Sequence, residues 1–347
     1  MYAKGDSSRR SLISMAAPSV KEIGGYLEFE HFRGSLYHDN AIALNSGCGC
    51  LAYLVELRSI KSIWLPDFMC DSVSDLFRRE GVCVRAYGIG RDFLPVYNFK
   101  VGGGEWMLLA DYYGQLREGD VAAAMRHCGG RLIVDETQGF FRDPWKGCDT
   151  VYSCRKWFGV ADGGYLYTGD GARLAREIER DESFGRMGFV LGRFERSAHE
   201  FYNESKANNE HLAAAPMKKM SLLTENVLRA IDYGVVRECR VRNFEHLHAR
   251  LASANLLQID VPSDPFMYPF MVKDAEGLRE RLAQEGVFVP VLWPNVLIDC
   301  AKWSNAYRFA KNILPLPVDQ RYGVREMERV ASALLRFAIP GKCYETG

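Results

Sequence analysis

The chain has 347 residues, 48% hydrophobic and 25% charged, enough to bury a large core and to make two domains. Lysine plus arginine and aspartate plus glutamate both number 44, so no net field favours a nucleic-acid backbone. No stretch reaches the roughly 18 apolar residues that cross a bilayer, and a partner membrane is not expected.

The elements alternate in chain order. Residues 1–25 read as an irregular or short helical lead-in ending at Gly24-Gly25. AIAL (41–44) reads as a strand, CLAYLVEL (50–57) as a helix, SIWLP (62–66) as a strand and SVSDLFRREG (72–81) as a helix closed by glycine. VCVRAYGI (82–89), WMLLADYY (106–113), RLIVDE (131–136) and TVYSC (150–154) are further strands, with a helix over 121–128. Such alternation predicts an α/β sheet covered by helices on both faces. Beyond Gly164, GARLAREIERDES (171–183) reads as a surface helix, and 185–220 is polar and poorly periodic. A long helix is expected over 222–251, then a helix at 275–286, a strand at 287–293 and a last helix at 324–337. The second part reads as a smaller α+β domain. The division expected is 1–235 for a large, ligand-binding α/β domain and 236–347 for a small one.

The ten cysteines follow no disulfide framework, and the N-terminus is polar, without the apolar core of a secretory leader. A reducing, cytoplasmic setting is expected. Cys48 and Cys50 have no second pair at zinc-site spacing, and the seven histidines are dispersed, so no metal site is expected.

Three clusters carry chemistry. Asn45-Ser46-Gly47-Cys48-Gly49 lies between a strand and a helix, where first-turn N–H groups meet an anion such as phosphate; a tight βα turn needs glycine equally. RLIVDETQG delivers Asp135 to the carboxyl end of a strand, where open α/β sheets bind ligands, with Gln138 just beyond. A turn or N-cap aspartate would look the same. In TVYSCRKWFGVADGGYL, Lys156 follows the Ser153-Cys154-Arg155 turn, is flanked by Trp157 and Phe158, and precedes Gly163-Gly164. A lysine so surrounded can have a lowered pKa and serve as a Schiff-base amine, although most lysines are solvated surface groups. Arg155 suits a phosphate or a neighbouring carboxylate equally. Ser153-x-x-Lys156 also matches the serine acyl-transferase nucleophile motif, but neither K-T-G nor S-D-N follows it.

Taken together these clusters resemble the fold type I pyridoxal-phosphate enzymes, and more narrowly the DegT/StrS-type sugar aminotransferases. The resemblance runs from the glycine turn through Asp-x-x-Gln, Ser…Lys and the Gly-Gly hairpin to ILPLPVDQRYGVREMERVASAL (313–334). It implies a large α/β domain with a mostly parallel sheet and a smaller C-terminal α+β domain. It implies pyridoxal 5'-phosphate held by Lys156 as an internal aldimine, with Lys156 as acid/base and Asp135 keeping the pyridine nitrogen protonated. Gln138 would sit near the ring hydroxyl, Gly47, Cys48 and Ser153 would cradle the phosphate, and Phe68 would stack on the ring, with Tyr112 and Tyr113 behind it. Cys48 stands where the family usually has Thr or Ser. Met217 stands where relatives have an asparagine reaching the neighbouring subunit's phosphate. The activity implied is transfer of an amino group from an amino acid, L-glutamate first, to a keto group of a nucleotide-linked sugar, by a homodimer. A lyase or dehydratase that binds the same cofactor, or a non-catalytic regulator on the same fold, is the alternative.

Overall fold

The structure, a computed structural model, describes residues 23–338. The chain divides into two units, one ending at His31 and one beginning at Phe32. Of the first, residues 23–31 form a bent, exposed run in which His31 pairs with Glu28 at 2.9 Å. The lead-in expected over 1–25 lies almost wholly outside the described residues.

In the second unit, seven strands make one sheet: β1 (Ile42–Leu44), β2 (Ser62–Pro66), β3 (Cys83–Tyr87), β4 (Trp106–Ala110), β5 (Leu132–Asp135), β6 (Asp149–Ser153) and β7 (Gly164–Tyr167). Their order is β1-β7-β6-β5-β4-β2-β3. The five strands from β6 to β3 run parallel, and β7 is antiparallel to both β6 and β1. β4 and β5 read WMLLA and LIVD, apolar without alternation, because helices cover both faces. The α/β fold with a mostly parallel sheet expected from the sequence is the fold found.

Helix α1 (Gly47–Arg58) is central: every residue from Gly49 to Val55 is buried. It starts where it does because the Ser46 hydroxyl accepts from Gly49 N at 2.9 Å, and it stops where Ser59 turns left-handed at φ 51°. Helices α2 (Asp71–Arg79) and α3 (Glu118–His127) follow β2 and β4. The Gly163-Gly164 pair has a packing reason. A Cβ on Gly164 would lie 2.6 Å from the carbonyl carbon of Ser46, so only glycine lets β7 pass the start of α1; Gly163 has φ +115°. Just before them, buried Asp162 accepts from Ser221 N at 2.8 Å and Ser221 Oγ at 2.7 Å. That fixes the hairpin to the cap of a later helix.

The remaining helices are α4 (Gly188–Glu195), α5 (Tyr202–Ala214), α6 (Leu222–Leu228), α7 (Tyr233–Leu251), α8 (Ala275–Gln284), α9 (Val296–Asp299), α10 (Asn305–Asn312) and α11 (Val324–Ala338). An antiparallel pair, β8 (Met267–Met271) and β9 (Ile313–Pro317), shares a separate apolar core with α7, α8 and α11. Among the described residues no helix is long and apolar enough to cross a membrane.

Three expectations are corrected. Residues 171–183 are not helical: Arg180 bridges Lys219, and Arg176 reaches Glu56 Oε2 at 2.6 Å, so pairing with distant chain outweighs local helix propensity. Residues 287–293 form no strand. Val287 and Val289 face the core as a strand would, but the segment has no ladder partner. The helix expected over 222–251 is two helices, because Asp232 caps α7 by accepting from Val235 N at 3.0 Å.

Candidate active site

β4, β5 and β6 end side by side, and the residues beyond those ends meet the start of α1 around a cavity of about 620 Å³. From β4 come Asp111 and Tyr112, from β5 Asp135, Thr137 and Gln138, from β6 Ser153, Arg155 and Lys156, and from α1 Gly47 and Cys48. Side chains converge here because the carboxyl edge of a parallel sheet releases each chain into a loop at the same level.

Asp135 closes β5, and its Oδ1 accepts from Thr137 N at 2.9 Å. Burial raises its pKa, opposed by the Thr137 hydroxyl and N–H and by the charge of Lys156. Gln138 Oε1 accepts from Tyr113 N at 2.8 Å, an amide turned inward because Tyr113 is left-handed, φ 58°. That leaves the Gln138 Nε2 free to donate. Lys156 ends a single helical turn after β6 and exposes its side chain to the cavity, while the surrounding protein desolvates its ammonium. That desolvation, and then repulsion from Arg155, holds its pKa below the usual lysine value. An amine so adjusted is a better nucleophile and proton carrier near neutral pH.

The amides of Gly47 and Cys48, first in α1, have no intrahelical acceptor, and no acidic residue occupies that first turn. A Cβ on Gly47 would stand 3.8 Å from Ser153 Cβ, so the serine hydroxyl adjoins the same helix end. Amides, hydroxyl and helix dipole together suit an anion. The Cys48 thiol is pushed up to about 11, first by burial and then by Cys70, so it stays a neutral thiol.

Phe68 is the residue the structure moves. It is 1% exposed, sits in the core against Trp293 (4.4 Å between ring centroids) and Tyr112 (5.2 Å), and does not line the cavity. Tyr112 does line it, with its hydroxyl bonded to the Phe68 carbonyl. The order is therefore reversed: Tyr112 is the wall and Phe68 stands behind it, because Phe68 follows β2, one strand further from Asp135. The other residues singled out, Lys156, Asp135, Gly47, Cys48, Gln138 and Ser153, all line the one cavity.

The rest of the lining comes from outside the sheet: Lys206, Asn209, Glu210 and Ala213 of α5, in the segment that reads as polar and poorly periodic, and Trp293 and Asn295 before α9. Trp293 has φ 57°, which turns the loop there. A second buried feature underlies the floor. The Asp111 Oδ2 and Glu136 Oε2 atoms are both buried without a hydrogen-bond donor, and Arg142 Nε lies 3.5 Å and 4.0 Å from them. Burial raises Asp111 to about 6 and Glu136 well above the usual carboxylate range, and the Asp111 charge further disfavours ionisation of Glu136. A neighbouring cavity of about 710 Å³ shares Met69, Cys70 and Asn295 with the first but contains neither Lys156 nor Asp135, so the chemistry belongs to the smaller one. Among the described residues no group of three or more His, Cys, Asp or Glu is arranged to hold a metal ion.

No protein-family model matches the chain, and no curated protein matches it in sequence. Solved structures do. Sugar aminotransferase CalS13 from Micromonospora echinospora superposes with a TM-score of 0.61 at 13% identity, over 85% of this chain and 87% of that one. This chain shares the sugar aminotransferase fold. NtdA from Bacillus subtilis, solved with bound cofactor PMP, gives a TM-score of 0.62 at 14% identity, over 86% of this chain and 73% of that one. DesV from S. venezuelae gives 0.60 at 17% identity, over 87% and 85%. At such identities the likeness establishes this aminotransferase fold, and the chemistry rests on the residues at its strand ends.

Proposed function

We propose that the protein is a pyridoxal-phosphate-dependent aminotransferase that moves an amino group from an amino acid, L-glutamate first, to a keto group of a nucleotide-linked sugar. The observation that carries this reading is the meeting of Lys156 and Asp135 in one cavity with the start of α1 and Ser153. The donor set fits the cofactor's chemistry: an amine of lowered pKa for its aldehyde, a half-buried carboxylate for its ring nitrogen, and free amides with a hydroxyl for its phosphate. When bound, the cofactor supplies an electron sink for the bond broken at the amino carbon.

The protein's own residues supply the rest. Lys156 Nζ takes and returns the proton at the amino carbon, which its lowered pKa favours. Asp135, fixed by Thr137, would hold a proton on the ring nitrogen by charge. Gln138 Nε2 would donate to the ring oxygen, and Tyr112 would cover a ring face. Lys206, Asn209 and Glu210 of α5, with Trp293, would line the place of the acceptor sugar. We also propose a large domain over 1–235 and a small one over 236–347. A homodimer is proposed from the exposed Phe184, Leu191 and Phe194 in and before α4, and a reducing cytoplasm from the unpaired state of all nine described cysteines.

The test is the visible spectrum of the purified protein with pyridoxal phosphate, before and after L-glutamate. A visible band should form and convert to a near-ultraviolet one. Lys156→Ala should form no such band, lose activity by about 10²- to 10⁴-fold and remain folded, since it removes a desolvated cation. The same band in Lys156→Ala would refute the lysine assignment, and a band indifferent to every amino donor would refute transamination.

A further inference from the structure

Arg155 is the residue this reading leaves without a task. Sequence alone leaves it equally suited to a phosphate and to a carboxylate, and the structure separates the two. Its guanidinium is only partly exposed and lines the lysine cavity. Among the described residues, no Asp or Glu oxygen stands within the 4.0 Å of an ion pair with it. Its hydrogen bond to a neutral group, Asn209 Oδ1, comes from Nη2 and leaves the rest of the planar fork unengaged. Asp162, the carboxylate that attracts it from further away, is committed to Ser221 and Thr224. Arg186, which repels it, is itself neutralised by Asp181 at 2.7 Å.

A guanidinium removed from water with no counter-charge is costly unless a ligand supplies one. Two further features connect Arg155 with the start of α1. Cys48, in the first turn of α1, is among the groups within electrostatic reach of Arg155. Ser153 and the free amides of Gly47 and Cys48 open onto the same cavity. Arg155 therefore adds a full positive charge to a helix end that by itself offers only partial charge.

We propose that Arg155 is the counter-charge of the phosphate group bound at the start of α1, and that this cation lets a neutral thiol, Cys48, stand beside that group without a hydroxyl of its own. The ligand class is a phosphate monoester. That the monoester is the cofactor rests on the function proposed above; that the site is built for a phosphate does not.

The test compares the wild type with Arg155→Gln and Arg155→Lys, using three probes: pyridoxal phosphate, unphosphorylated pyridoxal, and inorganic phosphate. Dissociation constants come from tryptophan quenching, and the phosphate effect from melting temperature. Arg155→Gln should weaken pyridoxal phosphate by about 10- to 100-fold, the range for losing a charged hydrogen-bonding group, and leave pyridoxal unchanged. Inorganic phosphate should raise the melting temperature of the wild type but not of Arg155→Gln. Arg155→Lys, which keeps the charge and loses the fork, should fall between, and it carries the test if the glutamine variant does not fold. Equal weakening of both pyridoxal forms, or phosphate protection that survives in Arg155→Gln, overturns the assignment. So does a variant that binds pyridoxal phosphate normally but loses affinity for L-glutamate, which would make Arg155 a substrate-carboxylate site. If the wild type binds no pyridoxal phosphate yet is protected by inorganic phosphate through Arg155, the cofactor reading fails and the phosphate site stands.

Discussion

The two walls of the lysine cavity are held in different ways. The sheet wall is fixed by backbone: strand ends in register, with Ala110 opposite Asp135 and Asp135 opposite Val151, a capped buried helix, and a glycine pressed against that helix's first turn. The α5 wall is fixed by few side chains. Only Asn208 and Leu212 of α5 are buried, and Asn208 Nδ2 donates to the Ala161 carbonyl at 2.8 Å. Rigid strand ends position groups to within the tolerance that proton transfer demands, while a lightly held helix can vary what it presents to a substrate. The first wall is suited to chemistry and the second to selectivity.

Breaking the sheet wall should therefore have the largest effect. Gly164→Ala places a methyl 2.6 Å from the backbone carbon and oxygen of Ser46 and 2.9 Å from Gly47 N. None of these atoms is the end of a flexible chain, so the start of α1 or the course of β7 must shift. We expect a loss of about 3 kcal/mol in chemical denaturation, at the upper end of the range for overpacking, together with weaker binding of pyridoxal phosphate. A variant of normal stability that binds the cofactor normally would show that the helix end is not held by this contact.

The contrast between walls also explains what could be read from residues alone. The sheet wall was legible because each part leaves a local mark: apolar runs for β4 and β5, glycines at the turn and hairpin, and polar residues at strand ends. Six of the seven residues chosen for the cofactor line the cavity. Phe68 stays outside the cavity because strand order, not chain order, decides which aromatic lines it, and β4 lies between β2 and β5. The α5 wall left no mark. A helix that buries two residues in thirteen has no apolar stripe to show its period. The sequence places Trp293 at the end of a strand because Val287 and Val289 alternate; the missing ladder partner is a tertiary fact.

A second prediction sharpens the account of the sheet wall through its proton. Burial lifts the Asp111 carboxyl from 3.8 to about 6, so the folded chain holds a proton that the unfolded chain releases. The stability associated with it is complete below about pH 3.8 and is lost as pH rises through about 6. His38 acts in the opposite sense. Burial lowers its ring from 6.5 to about 4, so its contribution is lost as pH falls through that window. The wild-type curve mixes the two, and the difference between wild type and Asp111→Asn isolates the carboxyl. Because Asn cannot ionise, the variant should gain on the wild type by about 1–3 kcal/mol between pH 4 and 7. Glu136→Gln should behave alike if one proton serves both acids. A difference that does not change with pH would mean that Asp111 is ionised throughout, with Arg142 its sufficient partner.

The smallest effects belong to α5, where two adjacent asparagines make a matched pair. Asn208 is 5% exposed and ties the helix to the chain before the hairpin, whereas Asn209 is exposed on the cavity side and orients Arg155. Asn208→Ala should cost about 1 kcal/mol of stability, the ordinary value of one hydrogen bond. Asn209→Ala should change stability by no more than about 0.5 kcal/mol, as surface substitutions do, yet weaken binding of pyridoxal phosphate by about 3-fold through a less constrained guanidinium. Denaturation and ligand titration on the two variants measure both quantities. If Asn209→Ala proves as destabilising as Asn208→Ala, α5 is held from both sides and is no more adaptable than the sheet. If only binding moves, a helix without an apolar stripe is doing through one polar side chain what the opposite wall does through its backbone.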